Sequence, residues 1–288
     1  MTCTHPPHQH SVSKQAQRLR LTLPLCLGLM WFAGAPVWAQ TNWPDKPIRF
    51  VVPYTPGGGT DTVTRHLAEK ITQDTQWAFL VDNKPGAGGN IGMDLVAKAK
   101  PDGFTLGMGQ TSNLAINPAA MAKLPFDAGK DFVPVALVAE VPTVLVVRAD
   151  ATWKNLDDMV KAAKAKPESL KQALAGTGTV GHLAGEMLSK KANFKVLPQV
   201  PTVAEQGYKG FEAVDWKMVV APANTPLPIL KRLNAAAEKA LNSPGFSAQM
   251  AAEGSTPLGG SLEKIAAYLK SEQFEWGDLI REAGIKFD

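Results

Sequence analysis

The chain has 288 residues, with 30 Lys or Arg against 26 Asp or Glu and only 2 cysteines. Three of the basic residues, Lys14, Arg18 and Arg20, precede residue 40 and no acidic residue precedes Asp45, so the remainder is close to neutral and gives no electrostatic reason to expect a nucleic-acid partner. Cys3 and Cys26 also precede residue 40, and only His66 and His182 follow it; this excludes disulfides, thiol catalysis and an ordinary cysteine or histidine zinc site there.

The first 39 residues combine that basic segment with an apolar run from Leu21 to Trp38 and small residues before a cut after Ala39. This is the pattern of a removable secretory signal. Pro24, Gly28, Gly34 and Pro36 interrupt the run, which disfavours a membrane anchor. Export predicts a periplasmic protein stabilised by its core alone.

Beyond residue 40 apolar strands alternate with helical segments, the pattern of an α/β fold with largely parallel sheets. The first strand is expected over 48–54, followed by Pro56-Gly-Gly-Gly-Thr-Asp61 and a helix to about residue 73. A second strand over 77–81 leads into Pro85-Gly-Ala-Gly-Gly-Asn-Ile-Gly92 and a helix to about residue 98. A third strand covers 104–108. The apolar stretch 133–147 is too long for one ordinary strand and contains Pro142, so two strands joined by a kink are expected there, suiting a crossover between lobes. A helix over 155–165 and a short strand over 170–175 precede the third glycine turn, Gly176-Thr-Gly-Thr-Val-Gly181, which opens a helix over 182–191. A strand over 211–220 and amphipathic helices over 226–241 and 262–283 complete the chain.

All three glycine turns have a strand before and a helix after. At a helix start the backbone amides lack intrahelical partners and carry the positive end of the helix dipole, and glycine lets a ligand approach closely. Such turns hold anions without a cationic side chain, and in open α/β sheets they lie where ligands bind. Asp61 has a second reading, as a first-turn acid favouring its own helix. Gly176, Gly178 and Gly181 match the dinucleotide fingerprint literally, but no acidic residue lies between Glu186 and Glu205 to hold a ribose. There is no P-loop lysine after Gly57 and no Gly-x-Ser-x-Gly nucleophile elbow, so neither a nucleotide cofactor nor an enzyme is expected. His182 is placed at the binding cleft and His66 at the surface or in packing; the tryptophans are read as structural.

These segments together resemble the extracytoplasmic solute receptors of tripartite tricarboxylate transporters, the Bug family. The likeness rests on Trp43-Pro-Asp-Lys-Pro-Ile-Arg49, Val51-Val-Pro-Tyr-Thr-Pro-Gly-Gly-Gly-Thr-Asp61, Val81-Asp-Asn-Lys-Pro-Gly-Ala-Gly-Gly-Asn-Ile-Gly92, Pro101-Asp-Gly-Phe-Thr-Leu106, Gly176-Thr-Gly-Thr-Val-Gly-His-Leu183, Val200-Pro-Thr-Val-Ala-Glu-Gln-Gly207 and Ala221-Pro-Ala-Asn-Thr-Pro226. The resemblance implies a two-lobed, type II-like periplasmic binding fold that closes on a small organic carboxylate and delivers it to membrane permease subunits, as a monomer with no metal or other cofactor. It points to Tyr54, Thr55, Gly58, Gly59, Thr60 and Asp61, with Gly88, Gly89 and Asn90, as ligand-binding residues of the first lobe. The run Gln110-Thr-Ser112 adds Thr111 and Ser112, and the facing lobe offers Gly176, Thr177, Gly178, Thr179 and His182. The expected division is a signal over 1–39, lobe 1 over 40–141 plus 222–288, and lobe 2 over 142–221. Family members carry more chain between the His182 helix and the Pro-Thr-Val-Ala-Glu motif, whereas here Asn193-Phe-Lys-Val196 runs straight into Leu197-Pro-Gln-Val-Pro201. An internal deletion near residue 196 and an incomplete second lobe are therefore expected. They leave open a binding-incompetent paralogue as the alternative to a working receptor.

Overall fold

The first strand, β1 (Ile48–Val52), is apolar on both faces except for Arg49, and four of its five residues are buried. Such a strand belongs in the interior of a sheet covered on both sides. The computed structural model, which describes residues 43–166, 170, 179–192 and 214–286, places it there. Helix α1 (Gly59–Thr75) follows and buries Val63, Leu67, Ala68 and Ile71, one stripe at helical spacing. It ends at Gln76, whose left-handed backbone returns its amide to the Thr72 carbonyl. Strand β2 (Phe79–Asn83), helix α2 (Asn90–Ala97) and strand β3 (Thr105–Gln110) complete a parallel β2-β1-β3 unit.

Gly107 and Gly109 in β3 are needed for packing rather than for turning. A Cβ on Gly109 would stand 2.3 Å from Leu114 Cδ1, and one on Gly107 would stand 2.9 Å from Val96. The chain then makes a wide π-type turn over Ser112–Ile116 and a short helix, α3 (Asn117–Ala120), all but Pro118 and Ala119 buried. Neither element is among the sequence expectations.

Strand β4 (Phe132–Pro142) leads out of the sheet, and β5 (Val214–Pro222) returns to it. Helices α4 (Leu156–Ala165) and α5 (Val180–Ala192) lie between them in sequence. The chain ends with α6 (Leu227–Leu241), α7 (Pro244–Ala252), the short strand β6 (Thr256–Pro257) and α8 (Leu262–Ala283). α7 has its own start signal, Pro244 in the first turn after Ser243, whose hydroxyl accepts the Phe246 amide.

The sheet order is β2-β1-β3-β5-β4-β6. Only the β2-β1-β3 pairings are parallel; β5 is antiparallel to both β3 and β4, and β6 to β4. The expectation of largely parallel sheets therefore holds for half of this sheet. The physical reason is the excursion: a chain that leaves through β4 and comes back through β5 inserts one strand of opposite direction. For the same reason β5 lies whole within this sheet. The stretch 133–147 forms one bulged strand and not two, because β4 stops at Pro142, and residues 143–148 are in no strand.

Two cores flank the sheet. One packs Phe50, Leu106 and Val219 against α1, α6 and α7; the other packs Val51, Met218 and Val220 against α2, the π-type turn and α8. Burying each large aliphatic or aromatic side chain contributes about 1.5–3 kcal/mol, which explains how the described residues, none of them cysteine, are held together. A smaller cluster joins Leu156, Met159, Val160 and Ala163 of α4 to Leu188 and Ala192 of α5.

Candidate functional site

The loops after β1, β2 and β3 meet at the carboxyl end of the parallel strands. Alternation along β4 and β5 brings the two crossover connections to the same end: Pro142 closes β4 there, opposite Val214 at the start of β5. The site is thus built where the sheet changes direction.

The first glycine turn is open to solvent. Gly57, Gly58 and Gly59 are exposed, and Gly57 has φ +79°. No side chain caps the N-terminus of α1 at Gly58. Its first amides therefore face outward with the dipole behind them. Thr55 is exposed beside them, while Thr60 and Asp61 are buried.

The Asp61 side chain is buried and bonded within the fold. Its Oδ2 accepts the Gly57 amide at 2.8 Å, its Oδ1 accepts Asn83 Nδ2 at 3.0 Å, and Arg65 Nε lies 3.0 Å from both oxygens. Burial raises its pKa, but these partners together outweigh burial and hold the carboxyl below its usual value. The carboxylate braces the turn against the end of β2, which extends the helix-acid reading of this residue.

The second glycine turn wraps Tyr54. The Tyr54 hydroxyl donates to the Gly88 carbonyl at 3.2 Å, shares a hydrogen bond with Ser112 Oγ at 2.8 Å and accepts Asn113 Nδ2 at 3.3 Å. Burial pushes the phenol pKa far up, so the group stays neutral. Gly89 has φ +94°, and a Cβ there would lie 2.9 Å from Asn113 Nδ2 and 3.0 Å from the Tyr54 oxygen. Asn90 is 3 % exposed and spends its amide internally, donating toward Met121 Sδ and accepting Asn117 Nδ2 at 3.0 Å. Thr111 is equally inward: its hydroxyl accepts the Trp216 amide at 2.9 Å, tying the π-type turn to β5. Asn90 and Thr111, expected among the binding residues, thus have side chains turned into the fold.

Gln110 links the parts. Its Nε2 donates to Thr60 Oγ1 in the first turn of α1 and, at 3.2 Å, to Asp215 Oδ2 in β5. Asp215 is also 3.3 Å from Lys217 Nζ. Asp215 and Lys217 are absent from the sequence expectations, although the pattern carried a signal: two charges at i and i+2 in an apolar strand share one face.

Of the second-lobe candidates, Gly176, Thr177 and Gly178 lie outside the described residues. Thr179 precedes α5, and its hydroxyl accepts the His182 amide at 3.4 Å. Both residues are half-buried. The same helix places Val180 and Leu183 in the cluster that contains Leu114 and Met218. His66 is half-buried in α1, 3.6 Å from Glu253, away from these turns. Among the described residues no group of three or more His, Cys, Asp or Glu is placed to hold a metal ion, and no helix is long and apolar enough to cross a membrane.

The chain is 33% identical over 293 positions to the protein of the tcbD-tcbE intergenic region of a Pseudomonas species, with 83% of this chain and 87% of that one covered. It is 30% identical to Protein BugT of Bordetella pertussis over 306 positions, covering 88% and 94%. Because 88% of 288 residues is about 253, about fifty positions of that alignment have no residue in this chain. Among solved structures, an R. palustris protein with adipate superposes with TM-score 0.80 at 26% identity, covering 85% of this chain and 99% of that one. MatC from Rhodopseudomonas palustris with bound malate superposes with TM-score 0.76 at 25% identity, covering 82% and 99%. The model of the tripartite tricarboxylate transporter family receptor matches in two pieces, residues 63–197 and 192–285. The chain belongs to this family of periplasmic, two-lobed binding proteins.

Proposed function

We propose that the chain is exported through residues 1–39, captures a small organic carboxylate in the periplasm and delivers it to the permease subunits of a tripartite transporter. The observation that carries this reading is the uncapped, solvent-facing start of α1 behind Gly57–Gly59, joined through Thr60 and Gln110 to the rest of the site. A carboxylate seated there meets backbone amides and a helix dipole. The adipate and malate in the two neighbours support the same ligand class. In this reading the exposed Thr55, Gly58 and Gly59 touch the ligand, and Tyr54, Gly88, Gly89 and Ser112 shape the wall behind it. The second lobe contributes the turn at Gly176–Thr179 and His182, and closure provides contacts made only in the bound state. The role is binding and not catalysis.

A second reading has its own support. The split family match overlaps at 192–197, and about fifty positions of the BugT alignment lack a counterpart. Both features favour an internal deletion near residue 196 that removes part of the second lobe. A receptor without that wall keeps the anion seat of the first lobe and loses affinity, or loses binding altogether.

Calorimetry on the chain from Gln40 onward, titrated with adipate, malate, succinate and benzoate, separates the readings. Saturable binding of at least one acid supports the receptor. A cooperatively folded protein that binds none of them rejects it and supports the binding-incompetent paralogue.

A further inference from the structure

The carboxylate site contains a carboxylate of its own. Asp215 stands at the start of β5, opposite Val141 of β4, and Lys217, two residues on, stands opposite Gln110 of β3. Both side chains share the face of Val219, which is the face covered by α1. Gln110 Nε2 joins Asp215 Oδ2 directly to Thr60 Oγ1, so Asp215 is one side chain away from the uncapped end of α1.

The two charged groups are not equally available. The Lys217 side chain is 5% exposed and that of Asp215 is 27% exposed. The ammonium is buried, and the half-buried carboxylate is the more exposed of the two. Lys217 therefore compensates the charge of Asp215 without being offered to a ligand itself.

A purely structural role explains this pair poorly. Breaking a buried ion pair is costly, but a well-packed apolar pair of similar volume is usually at least as stable. Among the described residues Asp215 caps no helix and accepts no backbone amide, unlike Asp61. Burial pushes its pKa up, offset in part by Lys217 and the Thr111 hydroxyl, so the fold bears a cost to keep it. Beside an anion seat a half-buried carboxylate also repels a bare carboxylate ligand. Both costs are recovered if the ligand brings a hydrogen-bond donor to Asp215.

We propose that Asp215, positioned by Gln110 and Lys217, is a specificity-determining residue that requires the ligand to carry a hydroxyl or ammonium donor beside the carboxylate seated at α1. The inference rests on the carboxylate-receptor reading. A site built around an acceptor rejects the analogue lacking the donor, because its own polar group is then left unpaired.

The test uses three four-carbon probes that differ only at one carbon: succinate, malate and aspartate. Calorimetry on the chain from Gln40 onward is expected to show malate or aspartate binding at least tenfold more tightly than succinate. In the Asp215→Ala/Lys217→Met double variant, which leaves no lone buried charge, that ratio is expected to fall to about one. Asp215→Asn keeps an acceptor without the charge, so it identifies the donor: a retained malate preference means hydroxyl, and a lost aspartate preference means ammonium. Succinate binding as tightly as both other acids in the wild-type chain overturns the inference and leaves the receptor reading standing. So does an unchanged ratio in the double variant. Failure of all three probes, together with adipate and benzoate, overturns both.

Discussion

Asp61 accepts the amide of Gly57 at 2.8 Å, four residues back, and so closes the first glycine turn onto the helix it begins. With Asn83 and Arg65 on the same carboxylate, one buried side chain holds the turn, the end of β2 and the first turn of α1 in register. The exposed glycines can stay open because the geometry is fixed from behind.

Replacing Asp61 with Asn should therefore cost about 1–3 kcal/mol at pH 7, since a buried charged acceptor for several donors is lost. The pH dependence has a definite sign. The folded carboxyl titrates below its ordinary value, so its contribution is present above the unfolded pKa of about 3.9 and disappears as the pH falls through the folded one. Urea unfolding at pH 7 and pH 3 should show the gap between wild type and Asp61→Asn narrowing in acid. A gap that widens in acid contradicts this assignment.

Two glycines of the site should respond in opposite ways to the same methyl group. A Cβ on Gly59 meets nothing within 4 Å, and the residue is already helical. Gly59→Ala should raise stability by up to about 1 kcal/mol through helix propensity, while crowding the amides that seat the ligand. Gly89→Ala places its Cβ against Asn113 and Tyr54 at a left-handed backbone, and should cost about 1–3 kcal/mol. Thermal melts and ligand titrations on both variants check the contrast: the first should lose affinity without losing stability.

Glu272 of α8 serves two indoles. Its Oε2 accepts Trp216 Nε1 at 2.5 Å and Trp276 Nε1 at 3.1 Å. Glu272→Leu leaves both N–H groups without this acceptor and should destabilise the chain by about 1–3 kcal/mol for each one left unpaired. Because Trp216 lies in β5, two residues from Met218 in the core and next to Asp215, the same variant should also shift the tryptophan emission. Chemical unfolding followed by fluorescence measures both effects.

Export is expected to remove residues 1–39. Expression of the full chain in a host with a periplasm, followed by intact mass measurement of the osmotic-shock fraction, should find a species beginning at Gln40. Retention of the full mass in the membrane fraction would instead indicate an anchor.

Much of this architecture was legible from local pattern. Helix α8 coincides with its expected bounds, because Ser261 caps it, Gly284 ends it and Ile265, Leu269, Trp276 and Ile280 form one stripe. The first two glycine turns announce themselves, since few other residues tolerate the backbones of Gly57, Gly86, Gly88 and Gly89. α3 and the π-type turn over Ser112–Ile116 escaped because that segment, buried except at Pro118 and Ala119, shows no amphipathic period. The direction of β5 escaped because strand polarity is set by the path through the second lobe.

The sequence by itself determined the local chemistry of these segments: glycine turns before helices, with no cysteine and only two histidines after residue 40. The tertiary structure alone decided which polar side chains are bonded within the fold. Asp61, Asn90 and Thr111 look like ligand contacts in the linear motifs, yet each is spent on the fold. Asp215 lies more than a hundred residues from Gln110 in the chain and joins the site only because β5 is paired with β3. Short motifs specify backbone geometry, which is local; the partner of a buried polar group is chosen by strand pairing, which is not.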